Sequence, residues 1–377
     1  GQVEITLPKS APPELKFESD LTGIVLDVPQ VNWRKTASGV GALAFSMILS
    51  QPIEVGQMTL KAPDLRAVGQ LTLTPDAKFE RLNISNLEIA QWLKAPVSII
   101  GRGANQPPKI VVNGGIMDLR RLPKSGPRHG RTGPMEISFD RLQVSRVITL
   151  DDFKGIFAAG TGLKGTFNGS LNGTASVTGT LIPRDGRSAI FLNSDDAGAA
   201  LKAAKLFRKV SGGKLQLSLE PHGAAGTYDG VLKITDTRLK NAPFMAEILN
   251  VISVVGLLEQ LGKSGILFTE VDVEFRLTPE QLIVTRSSAI GPSMGLSLDG
   301  YYDLARRVMD LQGVLSPIYI LNGIASIIGR KGEGFIGVNF NLKGNADQPL
   351  VIVNPLSALT PGLLRELFRR PGPRLSQ

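Results

Sequence analysis

Apolar and polar residues alternate with a period of two along much of this 377-residue chain. The alternation is clearest from Thr166 to Leu181, where odd positions hold apolar residues or Gly and the even positions hold Asn, Ser or Thr from residue 168 to residue 180. It recurs at Leu215 to Leu219, Val271 to Leu277 and Ile336 to Leu342. This period is typical of half-buried antiparallel strands with one apolar and one wetted face. The sequence therefore predicts a mainly β fold built on a long antiparallel sheet.

The Asn172-Gly173 pair predicts a turn inside the clearest of these segments. A two-residue turn would place Leu171 opposite Thr174 and mix apolar with polar side chains on each face. A three-residue loop from Leu171 to Gly173, with Gly173 in the left-handed conformation, keeps the two faces separate. We therefore predict the three-residue loop.

Four segments in the second half depart from the alternation and predict accessory amphipathic helices. The first runs from Asp195 to Lys209, with acids at its start and bases at its end, the order that a helix dipole favours. Phe244 to Leu261 and Ile318 to Ile328 are mostly apolar and are expected to pack on the sheet. The last begins at Thr360-Pro361, which supplies an N-cap and a proline at the first helical position, and ends at Arg370.

Composition narrows the possible functions. The chain has 42 Lys and Arg against 33 Asp and Glu, a net charge of +9, and its 42% hydrophobic content is enough to form a core. It has no Cys, so thiol nucleophiles, disulfides and thiolate metal sites are excluded. Its two histidines, His129 and His222, lie in turn-like sequence beside Gly or Pro. We therefore predict no catalytic residue, no metal site and no cofactor, and we do not expect an enzyme.

Two glycine motifs match nucleotide-binding loops by letter only. Gly160, Gly162 and Gly165 have the dinucleotide-binding spacing, but a predicted strand follows them where that motif needs a helix. Gly262-Lys263-Ser264 has the wrong distance from Gly256 for a phosphate-binding loop and is better explained as the end of a helix. Both motifs are predicted to be structural.

A basic loop runs from Arg120 to Arg131. Binding of single-stranded nucleic acid would need aromatic side chains for base stacking, and this loop has none. We therefore expect no nucleic-acid partner. The loop is predicted to be solvated, with contact to an anionic membrane or a protein partner as the alternative.

The apolar faces of the predicted strands are too extensive for four helices to cover. One interpretation is a sandwich in which the sheet covers itself. The other is a curled sheet whose concave face forms an apolar groove for acyl chains, which need only non-directional burial of about 0.8 kcal/mol per methylene. The second interpretation gives these lipid-groove candidates: Phe167, Leu171, Val177, Leu181, Leu215, Leu217, Leu219, Val271, Val273, Phe275, Leu277, Ile336, Val338, Phe340 and Leu342.

The predicted terminal helix has one apolar side and several arginines elsewhere. It is expected to dock on an anionic membrane surface or on a partner protein, with packing on the sheet as an end cap as the alternative. The residues concerned are Leu363, Leu364, Arg365, Leu367, Phe368, Arg369 and Arg370.

A series of short motifs follows in the second half of the chain. They are Asp195-Asp196-Ala197-Gly198, Gly212-Gly213-Lys214-Leu215, Asn241-Ala242-Pro243-Phe244, Gly265-Ile266-Leu267-Phe268, Gly291-Pro292-Ser293-Met294-Gly295, Pro317-Ile318-Tyr319-Ile320-Leu321-Asn322, Gly332-Glu333-Gly334 and the run from Asn354 to Arg365. In order and spacing they resemble the C-terminal region of the AsmA-like superfamily. Residues 1–190 resemble it only as repeated strands.

The resemblance implies a grooved β-structure in the periplasm of Gram-negative bacteria, tethered to the inner membrane by an N-terminal segment absent from this sequence. Residues 1–190 are expected to form a repeated-strand groove segment, and residues 191–377 an AsmA-like C-terminal region continuous with the same sheet. The expected function is a groove that binds phospholipid acyl chains during transport between the inner and outer membranes. The alternative is a non-enzymatic scaffold or assembly factor for outer-membrane biogenesis that acts through contacts with envelope proteins.

Overall fold

The computed structural model describes residues 1–28, 33–50, 53–122, 133–159, 163–317, 337–346, 348–359 and 370–373. The chain divides into two compact units, residues 1–173 and 174–377. Both units are mainly β, and most neighbouring strands within each are antiparallel. The predicted mainly β, antiparallel fold class is therefore confirmed. Residues 174–190, predicted to belong with the first segment, are part of the second unit.

The first unit is a meander of strands. Its strands are β1 (Gln2–Thr6), β2 (Glu14–Ser19), β3 (Leu26–Val28), β4 (Trp33–Lys35), β5 (Ala42–Ile48), β6 (Glu54–Ala62), β7 (Leu65–Leu73), β8 (Phe79–Ile89), β9 (Leu93–Ile100), β10 (Lys109–Asn113), β11 (Ile116–Asp118), β12 (Met135–Gln143), β13 (Thr149–Ala159) and β14 (Leu163–Leu171). A 3₁₀ turn follows β11 at Leu119–Arg121. β3 and β4 form a separate hairpin, while β1, β2 and β5 to β14 are joined in chain order. The exception to antiparallel pairing is β12, which runs parallel to β10 and β11.

The β3–β4 hairpin closes one end of the first sheet. Trp33 on this hairpin packs in a cluster with Leu65, Ile89 and Trp92, all of them buried. The indole Nε1 of Trp33 donates a hydrogen bond to the carbonyl of Pro63 at 2.8 Å, so its polar atom is satisfied. The hairpin is thus fixed at the strand ends that hold Leu65 and Ile89.

A buried lysine holds the hairpin together. Lys35 is only 2% exposed, and its ammonium donates to the carbonyl oxygens of Leu21 at 2.7 Å, Ile24 at 3.0 Å and Thr36 at 3.1 Å. An ammonium group has three donors, so these bonds satisfy all of them. Because burying an unsatisfied charge is very costly, Lys35 fixes the path of the chain around it.

The second unit combines strands with three α-helices among its described residues. Its strands are β15 (Ala175–Arg184), β16 (Arg187–Ser194), β17 (Val210–Ser211), β18 (Lys214–Pro221), β19 (Tyr228–Leu239), β20 (Ile266–Leu277), β21 (Gln281–Ile290), β22 (Met294–Asp303), β23 (Val308–Pro317), β24 (Val338–Asn345) and β25 (Leu350–Asn354). The helices are α1 (Ala197–Ala203), α2 (Pro243–Val251) and α3 (Val255–Gly262). A 3₁₀ segment, Pro355–Leu359, follows β25.

Two predicted helices are shorter or more divided than expected. α1 begins after the N-cap Asp196, whose carboxylate accepts from the Ala199 amide at 2.8 Å, but it stops before a left-handed Lys205 and does not reach Lys209. The predicted helix from Phe244 to Leu261 is two helices, because Ser253 has a φ of 56°. A left-handed residue interrupts the helical hydrogen-bond ladder in both places.

Other predictions fall partly or wholly outside the described residues. The predicted helix from Ile318 to Ile328 lies outside them, as does the terminal helix except Arg370. Gly173 is left-handed with a φ of 69°, as predicted, and Asn172 precedes it at 48°. β14 ends at Leu171 and β15 begins at Ala175, so the three loop residues are 172–174 and not 171–173.

Replacing Lys35 with Met should loosen the hairpin, because the apolar stem is kept while three carbonyls lose their charged donor. We expect a loss of unfolding free energy on the order of 3 kcal/mol. Both tryptophans of the chain belong to the hairpin cluster, so urea unfolding followed by tryptophan fluorescence reports on this end directly. The exposed neighbour Arg34 provides the matched control, Arg34→Met. Equal midpoints for the two variants would contradict the role given to Lys35.

Candidate functional site

An unbroken row of mostly apolar residues crosses the sheet of the second unit. Each member is the direct cross-strand partner of the next, from β15 through β16 and from β18 to β25. In order they are Leu181, Ile190, Leu219, Gly230, Phe275, Val284, Gly300, Leu311, Leu342 and Val351. With strands about 4.8 Å apart, nine steps make this row roughly 43 Å long, measured along the sheet.

The predicted groove residues of the second unit share this face. Leu181, Leu219, Phe275 and Leu342 are in the row itself. Neighbouring positions on the same face hold Val177, Leu215, Leu217, Val271, Val273, Leu277, Val338 and Phe340. Ile336 lies outside the described residues. The period-two pattern therefore placed the described members on one face, as it indicated.

Helices cover one end of this face. Buried residues of α2 and α3, including Met245, Ile248 and Leu261, pack in one cluster with Ile266, Leu315 and other strand residues. The opposite end is half-buried, and its members include Leu192, Leu217, Leu219, Leu232, Val273 and Phe275. The face is thus covered by helices at the positions of this cluster, while the half-buried positions on β16, β18, β19 and β20 are more accessible.

Phenylalanines lie flat on this face because glycines stand opposite them. Gly230 is paired with Phe275, and a Cβ atom at Gly230 would overlap the phenyl ring. Gly313 is paired with Phe340 in the same way, and a Cβ there would lie 2.7 Å from the ring. Each ring covers the bare backbone of its partner, which keeps the ring close to the sheet.

The first unit carries a second row of the same kind. From β1 to β14 its direct partners are Val3, Phe17, Phe45, Met58, Gly69, Ile84, Val97, Val112, Ile137, Gly155 and Phe167. The predicted groove residue Phe167 is in this row, and its ring lies 5.6 Å from that of Phe153. Leu171 is paired with Leu150 on the same face. Val3 is 58% exposed at the β1 edge.

Most members of the row in the first unit were not predicted from the sequence. Bulges or register shifts separate Phe45 from Met47 and Ile84 from Leu87, and others interrupt β6 and β7. Each extra residue moves the following apolar positions to the other parity, so the alternation breaks although the face continues. The segment from Ile84 to Ile89 is predicted as a strand, and allowing one change of parity within it would have placed Ile84 and Leu87 on the same face.

The opposite face of the second sheet is polar and contains ion pairs. Arg276 donates to Asp229 at 2.8 Å and holds the pKa of that carboxyl below its usual range. The ring Nδ1 of His222 lies 3.0 Å from the same carboxylate. His222 thus lies beside the surface ion pair of Arg276 and Asp229. His129 lies outside the described residues.

The predicted basic loop is described only at its start. The guanidinium of Arg120 donates to Asp118 at 2.7 and 2.8 Å and lowers the pKa of that carboxyl. Arg121 lies 3.4 Å from the same carboxylate. Both guanidinium groups therefore share the single carboxylate at the end of β11, which offsets one of their two positive charges. Residues 123–132 are outside the described part of the chain.

Two further features bear on chemistry. Within the described ranges, His, Asp and Glu side chains form no group of three or more that could hold a metal ion. Across the same ranges, the helices are too short or too polar to cross a bilayer.

Comparison with protein-family models, with characterised proteins and with solved structures gave no match for this chain. The apolar faces are thus the candidate site on their own geometry.

Proposed function

We propose that the apolar face of each unit is the floor of a groove that binds phospholipid acyl chains. The observation that carries the proposal is the row from Leu181 to Val351, in which apolar residues and glycines follow one another across ten strands. Acyl chains need a long surface without hydrogen-bonding groups, since their burial is non-directional. A row of aliphatic side chains with flat phenyl rings has this character.

The resemblance to the AsmA-like superfamily adds a setting to this surface. In that setting the chain acts in the periplasm, between the inner and outer membranes, and its cargo is phospholipid. A tether to the inner membrane is part of the same proposal. The curled shape that would turn each face into a groove belongs to it as well.

A scaffold without lipid cargo is the second candidate function. The cover that α2 and α3 provide over Phe340 and Leu315 favours it, because those residues already have intramolecular partners. In this alternative the apolar faces are ordinary cores and the chain acts through contacts with envelope proteins. The half-buried positions around Val273 and Phe275 distinguish the two candidates.

Replacing Val273 with Asp should remove lipid more than it removes folding. The charge would lie on the half-buried apolar face, where an acyl chain cannot hydrate it. We expect phospholipid in organic extracts of the purified chain, measured by mass spectrometry, to fall at least fivefold. The neighbour Glu274 points to the polar face, so Glu274→Gln is the matched control and should keep its lipid. Native chain that purifies without phospholipid would favour the scaffold.

Replacing Gly230 with Val should also reduce lipid, without adding any polar group. The new side chain would overlap the Phe275 ring and force it to stand up from the sheet into the space for acyl chains. We expect a severalfold fall in bound phospholipid with a cooperative thermal transition retained. Adding Phe275→Ala should restore binding, because it removes the displaced ring. Failure of the double variant to recover would show that the ring does not set the depth of the groove.

A further inference from the structure

A side chain on the polar face of β23 forms hydrogen bonds with the main chain of a residue that is distant in the sequence. The side-chain amide of Gln312 donates from Nε2 to the carbonyl of Arg370 at 2.9 Å, and its Oε1 accepts from the Arg370 amide at 3.0 Å. One side chain thus satisfies both main-chain groups of one residue, as a neighbouring strand would. Because Arg370 precedes Pro371, it is biased toward extended backbone, where both groups are free to bond outward.

The arginine side chain is recognised as well. Its Nη1 and Nη2 atoms donate to the two carboxylate oxygens of Asp310 at 3.1 and 2.8 Å. This two-bond geometry matches the planar guanidinium and cannot be reproduced by a lysine. The hydrogen bond from Arg370 lowers the pKa of Asp310, and Asp310 in turn raises the pKa of Arg370.

The buried carboxylate of Asp299 fixes the orientation of the Gln312 side-chain amide. Asp299 is 1% exposed and lies directly opposite Gln312, whose Nε2 donates to its Oδ2 at 2.8 Å. A carboxylate can only accept, so it holds Nε2 toward itself and leaves Oε1 aimed at an amide donor. Gln312 is itself only 6% exposed. The bond to Asp299 therefore orients the Gln312 amide independently of Arg370.

We infer that Asp299, Gln312 and Asp310 form a recognition site for an arginine in an extended peptide, occupied by the chain's own segment at Arg370. The occupant follows from the contacts, since Arg370 makes both the main-chain and the guanidinium bonds. The site is separate from the apolar face, because Asp310 and Gln312 alternate with Leu311 and Gly313 along β23. Its role is to attach the C-terminal segment to the polar side of the sheet.

A competing peptide can displace the segment at Arg370, because its contacts are individually weak. Much of the apparent affinity comes from the covalent connection of this segment to the rest of the chain. The Arg370 and Asp310 side chains are 44% and 46% exposed, so solvent and salt screen their ion pair. A tethered segment experiences an effective concentration on the order of millimolar. Asp310 has a lowered pKa, so its contribution is complete at neutral pH and is lost only as the pH falls through that lowered value.

The test uses the absence of cysteine, which allows a single spin label at the exposed position Gly372→Cys in the full-length chain. We expect a restrained nitroxide spectrum in the parent and about a tenfold larger mobile fraction in Asp310→Asn and in Gln312→Leu. Glu274→Gln removes a negative charge from the polar face of β20 and should leave the spectrum unchanged. Equal mobility in all four proteins, with cooperative unfolding retained, would overturn the proposal.

Competition by peptide separates recognition from charge. A peptide with the sequence of residues 367–373, added at several millimolar, should displace the segment and mobilise the label in the parent. The same peptide with lysine in place of Arg370 should need about tenfold more, because it cannot bind Asp310 through two parallel bonds. Equal displacement by both peptides would mean attraction between net charges only and would reject the site. Neither result depends on lipid binding by the opposite face.

Discussion

Cross-strand register is the constraint on which the rest of this structure depends. A slip of one residue at any strand pair would turn every following side chain to the other face. From Leu181 to Val351, each pairing instead joins apolar residues or glycines. Where a strand gains a residue, as between Val284 and Ala289, the shift is confined to that strand and the face continues. The row of apolar cross-strand partners therefore continues across local shifts of register.

Each unit covers one end of its own apolar face, and the covering element differs between the two units. The first uses a hairpin fixed by the buried ammonium of Lys35 and the indole of Trp33. The second uses α2 and α3, whose cover is apolar and needs no charge. A cover fixed by directed bonds holds one position, while one held by apolar contact tolerates small shifts of side chains. The covered end is thus stabilised by directed polar bonds in the first unit and by apolar packing in the second.

The strands with strict alternation could be predicted from sequence because each side chain of a regular strand reports its own face. β14 and β15 show this, since their odd residues point inward without exception. β8 could not be read in the same way, because its apolar positions change parity between Ile84 and Leu87. The break at Ser253 is made by a left-handed residue other than glycine, a conformation that the residue type does not predict. The grip of Gln312 on Arg370 joins residues 58 apart, which local patterns do not address.

Chain order has a kinetic consequence. Nearly every strand of each sheet is hydrogen-bonded to the strand before it, so most pairings close short loops. Short loops lose little entropy on closure, and each finished strand offers an edge on which the next can form. We expect ordering to spread strand by strand, with a delay where β12 must cross over to lie parallel to β10.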